Sequence, residues 1–236
     1  MADKHVLCEK PMTLRCSEAE ELFDIASQRK LVFMEGIKTA YCPGFSLLKK
    51  VLSEGRIGEV KYIESCFTKL ESSTSRELTD VKYGGSMTEL GSYVLLPALS
   101  ILGTQYEDVR FESIYADNGL DIFTKVSLKY KDGLVTSTCG LGVKSEGRLM
   151  IGGTKGYVLV PAPWWKTSRF EVHYEDPNKV DNFTAEYEGE GIRYEVAEFL
   201  NRIKDERVNP DVLSKEESIA IADIMEKFRL ANGREG

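Results

Sequence analysis

The stretch KHVLCEKPM, residues 4–12, places an apolar strand directly before a charged pair and a proline. His5 to Cys8 has the length and apolar character of a short buried strand. Glu9 and Lys10 then follow its carboxyl end, which is where open α/β sheets bind their ligands. A lysine there can donate hydrogen bonds and positive charge to a reacting oxygen. Spacing alone favours a simpler interpretation, an exposed Glu-Lys pair closed by a helix-starting proline.

The residues after this stretch predict a parallel strand–helix–strand unit. Ser17 to Gln28 is predicted to be a helix, with Ser17 as the N-cap and Glu20 completing a capping box. Leu31 to Met34 is a second short apolar run. Because two strands alone make a marginal sheet, the opening of the chain is expected to be the tail of a larger domain.

The rest of the chain carries helical and strand patterns that predict an α/β (α+β) fold with an antiparallel sheet flanked by helices. Lys131-Asp132-Gly133 is a strong hairpin signal between two strands. Helices are predicted over 44–54, 86–102, 193–203 and 215–230, and strands over 60–67, 109–115, 122–130, 134–139, 148–151, 157–160, 170–174 and 183–187.

Composition argues against several classes of function. The net charge of −7 over 236 residues, without a basic patch, is unfavourable for nucleic-acid binding. The two histidines, His5 and His173, do not have metal-ligand spacing, so no metal site is expected. Five widely spaced cysteines favour a reducing compartment, and no stretch is predicted to cross a membrane. We therefore expect a cytoplasmic location.

Six motifs occur in an order that resembles the Gfo/Idh/MocA family of nicotinamide-dependent oxidoreductases. They are KHVLCEKPM, FMEG, EGRIGEV, YGGSMTELGSY, GTKGYVLVPAPWW and YEVAEFL, and they extend across nearly the whole chain. The resemblance implies that residues 1–36 are the end of a dinucleotide-binding Rossmann domain. It further implies that residues 37–236 are the C-terminal substrate and oligomerisation domain, built on an open, largely antiparallel sheet.

The resemblance also implies a chemistry. Members of the family transfer hydride between NAD or NADP and a carbonyl/alcohol pair on a sugar, cyclitol or diol. Their signature lysine, which polarises the substrate oxygen, corresponds to Lys10. Glu9 and Pro11 correspond to residues that shape the turn beside the nicotinamide.

A second family motif lies at residues 84–93. Glu89 takes the place of the usual aspartate, and Tyr93 matches the usual histidine or tyrosine. Four residues apart on a predicted helix, they share a face. Tyr93 is the expected proton donor, with a pKa lowered by the nearby lysine, and Glu89 supports the site. Leu96 stands where many relatives have a second acid, and a core aromatic role for Tyr93 remains an alternative.

Three further residues are candidate substrate contacts. Lys38 lies near Ala40, the position where relatives often have an arginine, although a lysine does not reproduce an arginine fork. Trp164 and its neighbour Trp165 can stack on a sugar or form a dimer contact, and packing or an interface is the favoured interpretation. Tyr194 corresponds to a helix near the family's substrate pocket, with an ordinary core role as the alternative.

The sequence contains no G-x-G-x-x-G turn between a strand and a helix, which a dinucleotide site of this type needs. The nearest match, residues 140–145, lies between two predicted strands. By resemblance the chain begins at the fifth strand of the cofactor domain. We therefore expect weak activity or none from this chain alone, with NAD or NADP bound poorly or not at all. The alternative is a non-catalytic ligand-binding or dimerisation module.

Two expectations about assembly follow. The strand at Val6 is expected to leave an exposed edge, and exposed strand edges attract partners. By resemblance, the C-terminal sheet is expected to form a homodimer or a higher oligomer.

Overall fold

The structure is a computed structural model, and it describes residues 3–204 and 212–233 of the 236-residue chain. The first elements are β1 (Val6–Glu9), α1 (Cys16–Gln28) and β2 (Phe33–Gly36). β1 and β2 pair in parallel, with Val6 opposite Phe33, in a sheet of two strands. Within the described residues β1 has no second neighbour, and the Val6 residue is 43% exposed. The predicted strand–helix–strand unit is therefore confirmed.

The start of α1 differs from the prediction. Arg15 occupies the N-cap, it makes no side-chain capping bond, and Ser17 lies inside the helix. The amide of Cys16 instead donates to Oε2 of Glu226, 2.9 Å away. A tertiary contact thus satisfies one of the amide groups that a local capping box was expected to satisfy, and Ser17 is not the cap.

The remaining elements form a second, larger unit. The helices are α2 (Lys38–Tyr41), α3 (Pro43–Ser53), α4 (Arg76–Thr79), α5 (Ser86–Leu102), α6 (Ile192–Ile203) and α7 (Lys215–Ala231). The strands are β3 (Val60–Thr68), β4 (Asp108–Tyr115), β5 (Asp121–Lys129), β6 (Leu134–Gly140), β7 (Leu149–Gly153), β8 (Gly156–Val160), β9 (Arg169–Tyr174) and β10 (Val180–Thr184). A short 3-10 helix spans Trp164–Lys166.

These eight strands form one sheet in the order β10-β9-β8-β7-β3-β6-β5-β4. Neighbours are antiparallel except for the central pair, β3 and β6, which are parallel. The hairpin at residues 131–133 joins β5 to β6, and the Tyr130 amide donates to the Gly133 carbonyl at 2.9 Å. An open, largely antiparallel sheet flanked by helices is confirmed.

Helix α5 packs across the inner face of this sheet and forms the centre of the core. Leu95 and Leu96 are fully buried. Two sheet hydroxyls, from Ser65 on β3 and Ser137 on β6, donate to the Val94 carbonyl at 2.7 and 2.8 Å. These bonds satisfy buried hydroxyl groups and fix α5 against the parallel pair of strands. Leu96, where relatives often have an acid, is a core residue here.

The N-terminal unit packs against the helices of the larger unit. Met12 and Ala19 form a small apolar cluster with Ala222 of α7. Lys215 of α7 also pairs with Asp24 of α1, at 2.8 Å. Among the residues that the structure describes, no helix has the length and apolar character needed to cross a bilayer.

Asp121, the first residue of β5, caps the N-terminus of helix α5. Its Oδ2 accepts from the Met87 amide at 2.7 Å and from the Thr124 hydroxyl at 3.0 Å, and it is fully buried. The Ser86 hydroxyl donates to the Asp121 carbonyl at 3.0 Å. The first turn of α5 is therefore held by the start of β5.

We expect Asp121→Ala to lower the free energy of unfolding by about 2 kcal/mol, because it leaves a buried helix amide without its acceptor. Chemical denaturation followed by circular dichroism measures this change. The control is Asp117→Ala, an exposed turn residue, for which a change within about 0.5 kcal/mol is expected. Equal effects of the two substitutions would contradict the assigned capping role.

Candidate active site

Lys10 follows the carboxyl end of β1 and reaches across to helix α5. Its Nζ donates to the Glu89 carbonyl at 2.7 Å and lies 3.1 Å from Glu89 Oε1. The Lys10 side chain is only 11% exposed, whereas that of Glu89 is 43% exposed. The same Nζ lies 5.6 Å from the centroid of the Tyr93 ring. The structure thus brings together the three residues predicted to be catalytic.

The Tyr93 ring is held in place by burial and by a contact with Phe67. It is 8% exposed and meets Phe67 of β3 edge-to-face, with ring centroids 5.4 Å apart. Burial raises the pKa of the Tyr93 hydroxyl, and the carboxylates of Glu9, Glu195 and Glu89 raise it further. The expectation that a nearby lysine lowers this pKa was wrong in direction, because burial and surrounding acids outweigh the cation.

A cavity of about 700 Å³ opens beside Lys10 and Tyr93, which is a suitable size for a small-molecule ligand. Its wall combines aromatic and apolar side chains with several charged ones. The lining residues are Lys10, Lys38, Phe67, Thr68, Lys69, Leu70, Glu89, Leu90, Tyr93, Lys144, Trp165, Lys166 and Glu190. Lys38, a predicted substrate contact, is among them.

The tryptophan pair divides between core and cavity. Trp164 is fully buried, and its Nε1 donates to the Cys66 carbonyl at 2.8 Å. It does not line the cavity, so the structure does not place it as a substrate contact. Trp165 lines the cavity instead and stacks on Phe67, with ring centroids 3.5 Å apart and planes 7° from parallel. Packing, the favoured interpretation of the pair, holds for Trp164.

Tyr194 lies on α6 outside this cavity wall. Its hydroxyl accepts from the Glu188 amide at 2.8 Å, and its ring lies 5.9 Å from that of Tyr187. These contacts explain Tyr194 as a residue that holds the segment leading into α6. The structure does not bring it into the group formed by Lys10, Glu89 and Tyr93.

Two buried acids near the N-terminal unit escaped the sequence reasoning. Glu35 on β2 is 3% exposed, and its Oε1 accepts from the Met12 amide at 3.2 Å. Glu195 on α6 is also 3% exposed, and its Oε2 has no hydrogen-bond partner among residues 3–204 and 212–233. Burial raises the pKa of each carboxyl to about 7. The FMEG motif and the helix at YEVAEFL contain these acids, but only tertiary packing reveals their burial.

The three lysines at 69, 144 and 166 were also missed. They follow β3, β6 and the tryptophan pair, respectively, and have no shared spacing in the sequence.

No cluster of three or more histidine, cysteine, aspartate or glutamate side chains suited to a metal ion occurs in the described part of the chain. The lysines and the aromatic wall of the cavity can support lysine-assisted acid–base chemistry.

A parallel strand pair that ends beside a lysine, next to a cavity on an open mixed sheet, is the arrangement that the family resemblance implies. The family comparisons agree. Residues 45–159 match the Gfo/Idh/MocA C-terminal domain, and residues 1–37 match the family's NAD-binding Rossmann fold. The chain belongs to the Gfo/Idh/MocA oxidoreductase family.

Curated relatives resemble almost the entire chain. Trans-1,2-dihydrobenzene-1,2-diol dehydrogenase from Bos taurus is 30% identical over 98% of this chain and 71% of its own length. A scyllo-inositol 2-dehydrogenase (NADP(+)) from Bacillus subtilis is 28% identical, over 98% of this chain and 71% of its own. The chain therefore spans about seven-tenths of the length of these relatives.

Solved structures show the same fold. A 3-ketoreductase from Actinomadura kijaniata, in complex with TDP-benzene and NADP, superposes with a TM-score of 0.77 at 20% identity, covering 94% of this chain and 68% of that one. The UDP-N-acetylglucosamine 3-dehydrogenase of Acidithiobacillus ferrooxidans gives a TM-score of 0.77 at 19% identity, covering 98% and 71%.

The raised pKa of Glu35 predicts a pH-dependent stability. The folded protein keeps this proton to about pH 7, whereas an unfolded glutamate releases it near pH 4.5, so the free energy of unfolding falls as pH rises between these values. We expect Glu35→Gln, relative to the unsubstituted chain, to gain about 2 to 3 kcal/mol between pH 5 and pH 8. Denaturant unfolding at the two pH values measures this gain. The exposed Glu21→Gln is the control, and a gain of the same size there would contradict the assignment.

Proposed function

We propose that this protein acts in hydride transfer between NAD(P) and a carbonyl/alcohol pair on a sugar, cyclitol or diol. The observation that carries the proposal is Lys10, held by Glu89 and adjacent to Tyr93 at the edge of a ligand-sized cavity. The names of the curated relatives, a diol dehydrogenase and an inositol dehydrogenase, support the same substrate class.

Each residue of the group has a distinct role in this proposal. Lys10 donates to the substrate oxygen and stabilises negative charge on it. Glu89 holds the ammonium group in place through both its carbonyl and its carboxylate. Because the pKa of Tyr93 is raised, its hydroxyl keeps its proton at neutral pH and serves as a donor when a carbonyl is reduced.

The described residues fit the nicotinamide end of the cofactor. Glu9 ends a parallel strand and Lys10 and Pro11 follow it, at the place where open α/β sheets bind ligands. Glu9 is exposed there, and Lys10 already lines the cavity. When bound, the nicotinamide supplies or accepts the hydride. The pyrophosphate-binding glycine turn is not in this sequence, and residues 140–142 belong instead to the end of β6 and the turn that follows it.

Turnover tests the proposal directly. Purified chain is mixed with NADPH or NADH and with the oxidised forms of a sugar, an inositol or a cyclic diol, and nicotinamide absorbance is followed. We expect Lys10→Met to lower any measured rate by about 100-fold or more, since it removes the charge on the reacting oxygen. Lys125→Met, an exposed lysine on β5, is the matched control. A Lys10→Met protein that is folded by circular dichroism and retains the full rate would refute the proposed role.

Cofactor binding separates this function from a second candidate, a non-catalytic ligand-binding or dimerisation module. Tryptophan-to-nicotinamide energy transfer measures NADH and NADPH binding to the purified chain. Saturable binding at micromolar cofactor supports a working dehydrogenase. The absence of binding at millimolar cofactor supports the module.

We also propose that the protein forms a homodimer through the outer face of its large sheet. That face bears Tyr62, Leu134 and Tyr157, of which Leu134 is 59% and Tyr157 40% exposed. Tyr157 is stacked flat on His173, with ring centroids 4.6 Å apart. Aromatic residues on an exposed sheet face are typical of protein interfaces.

The free cysteines are consistent with a reducing cytoplasmic environment.

Substitution of Leu134 by glutamate tests the dimer. We expect Leu134→Glu to convert the dimer to a monomer in analytical ultracentrifugation, because it places a desolvated charge at the contact. Leu230→Glu introduces the same change at a 55% exposed position on α7 and should leave the assembly intact. An unsubstituted chain that sediments as a monomer at high micromolar concentration contradicts the proposal.

A further inference from the structure

The cavity beside Lys10 is lined by five lysines and only two glutamates, in a chain whose net charge is −7. Three of the lysines have carboxylate partners: Lys10 pairs with Glu89, Lys69 with Glu71, and Lys166 with Glu190. Within the described ranges, Lys38 and Lys144 form no ion pair. A cleft lined by one sign of charge concentrates ligands of the opposite sign.

Lys144 is positioned by a buried residue. Its Nζ donates to the Thr68 carbonyl at 2.8 Å. The Thr68 residue, 1% exposed, also donates its hydroxyl to the Ser145 carbonyl and accepts from the Ser145 amide, both at 2.9 Å. The loop after β6 is thus fixed to the end of β3. Among the described residues, the Thr68 carbonyl is the one hydrogen-bond partner of this ammonium group at the cavity.

The same loop is fitted to the aromatic wall of the cavity. A Cβ atom on Gly147 would lie 2.8 Å from Cζ3 of Trp165, so this position requires glycine. Trp165 in turn stacks on Phe67, whose ring contacts Tyr93. A continuous row of rings therefore runs along the cavity wall from Trp165 through Phe67 to Tyr93, beside Lys10. Aromatic faces of this kind suit the C–H faces of a polyol ring.

Lys38 adds a second cation near Glu190. It is half-buried and also lines the cavity. The pKa of Glu190 is lowered mainly by Lys166, with which it pairs at 2.6 Å, and further by Lys38. Glu190 is therefore already shared between two cations, and Lys144 has no acid partner among the described residues.

We propose that the substrate is an anionic polyol, a sugar-sized molecule that carries a carboxylate or phosphate group bound by Lys144, with its reacting carbon at Lys10. This inference rests on the proposed function, since it assigns the substrate class of the same site. The carboxylate or phosphate oxygens accept from the Lys144 ammonium, and the ring lies against Trp165. Lys38 and Lys69 add to the positive electrostatic potential in the cavity, and the proposal does not need them to contact the substrate.

The experiment compares ligands that differ in charge but share a sugar ring. The full chain is titrated with glucose, glucuronate, glucose 6-phosphate and inorganic phosphate by isothermal titration calorimetry at low and high salt. We expect glucuronate or glucose 6-phosphate to bind about tenfold or more tightly than glucose, and this preference to shrink at high salt. A preference for glucuronate identifies a carboxylate substrate, and a preference for glucose 6-phosphate identifies a phosphate ester.

Lys144→Gln should lower the affinity for the preferred anionic sugar by about tenfold and leave that for glucose unchanged. Lys125→Gln removes an exposed lysine on β5 and is the matched control. Equal affinities for glucose and both anionic sugars overturn the inference, as does phosphate alone binding as tightly as the phosphorylated sugar. Failure of all four ligands to bind also overturns it. The readout needs neither cofactor nor turnover, so loss of hydride transfer counts against the proposed function alone.

Discussion

The contact between Lys10 and Glu89 is the constraint on which the candidate site depends. Lys10 directly follows a strand of a two-stranded sheet, which is marginally stable by itself, whereas Glu89 belongs to the best-buried helix of the large unit. Their bonds at 2.7 and 3.1 Å fix the end of β1 over the cavity. Asp121 holds the first turn of the same helix, so the position of the lysine depends on packing far from it in sequence.

Much of the fold could be predicted because its local patterns are strong. The helix predicted over residues 215–230 is observed as α7. The hairpin predicted at residues 131–133 is observed as the turn between β5 and β6. The second strand was predicted over Leu31–Met34 but forms over Phe33–Gly36. The last strand was predicted over 183–187 and forms over Val180–Thr184. Both shifts are at edges of sheets, where register depends on pairing partners rather than on apolar residues alone.

What could not be predicted came from contacts between distant segments. No sequence pattern indicated that β3 would pair in parallel with β6, because hairpin signals describe only neighbouring strands. The family resemblance led us to group Lys10, Glu89 and Tyr93, and these three residues do lie together. Lysines 69, 144 and 166 escaped notice because each follows a different element. The buried state of Glu35 and Glu195 likewise exists only after β2 and α6 have packed.

The distribution of charge around Lys10 assigns different tasks to the two units. On the side of β2 and α6, burial raises the pKa of Glu35 and Glu195 to about 7, which reduces the negative charge of that region at neutral pH. On the side of the large sheet, Lys144 and Lys38 stand against an aromatic wall. Among the described residues, Lys10 is the one cavity-lining residue that the N-terminal unit contributes. In the proposed mechanism, the loops of the large sheet therefore select the substrate, while the group that polarises the reacting oxygen follows β1.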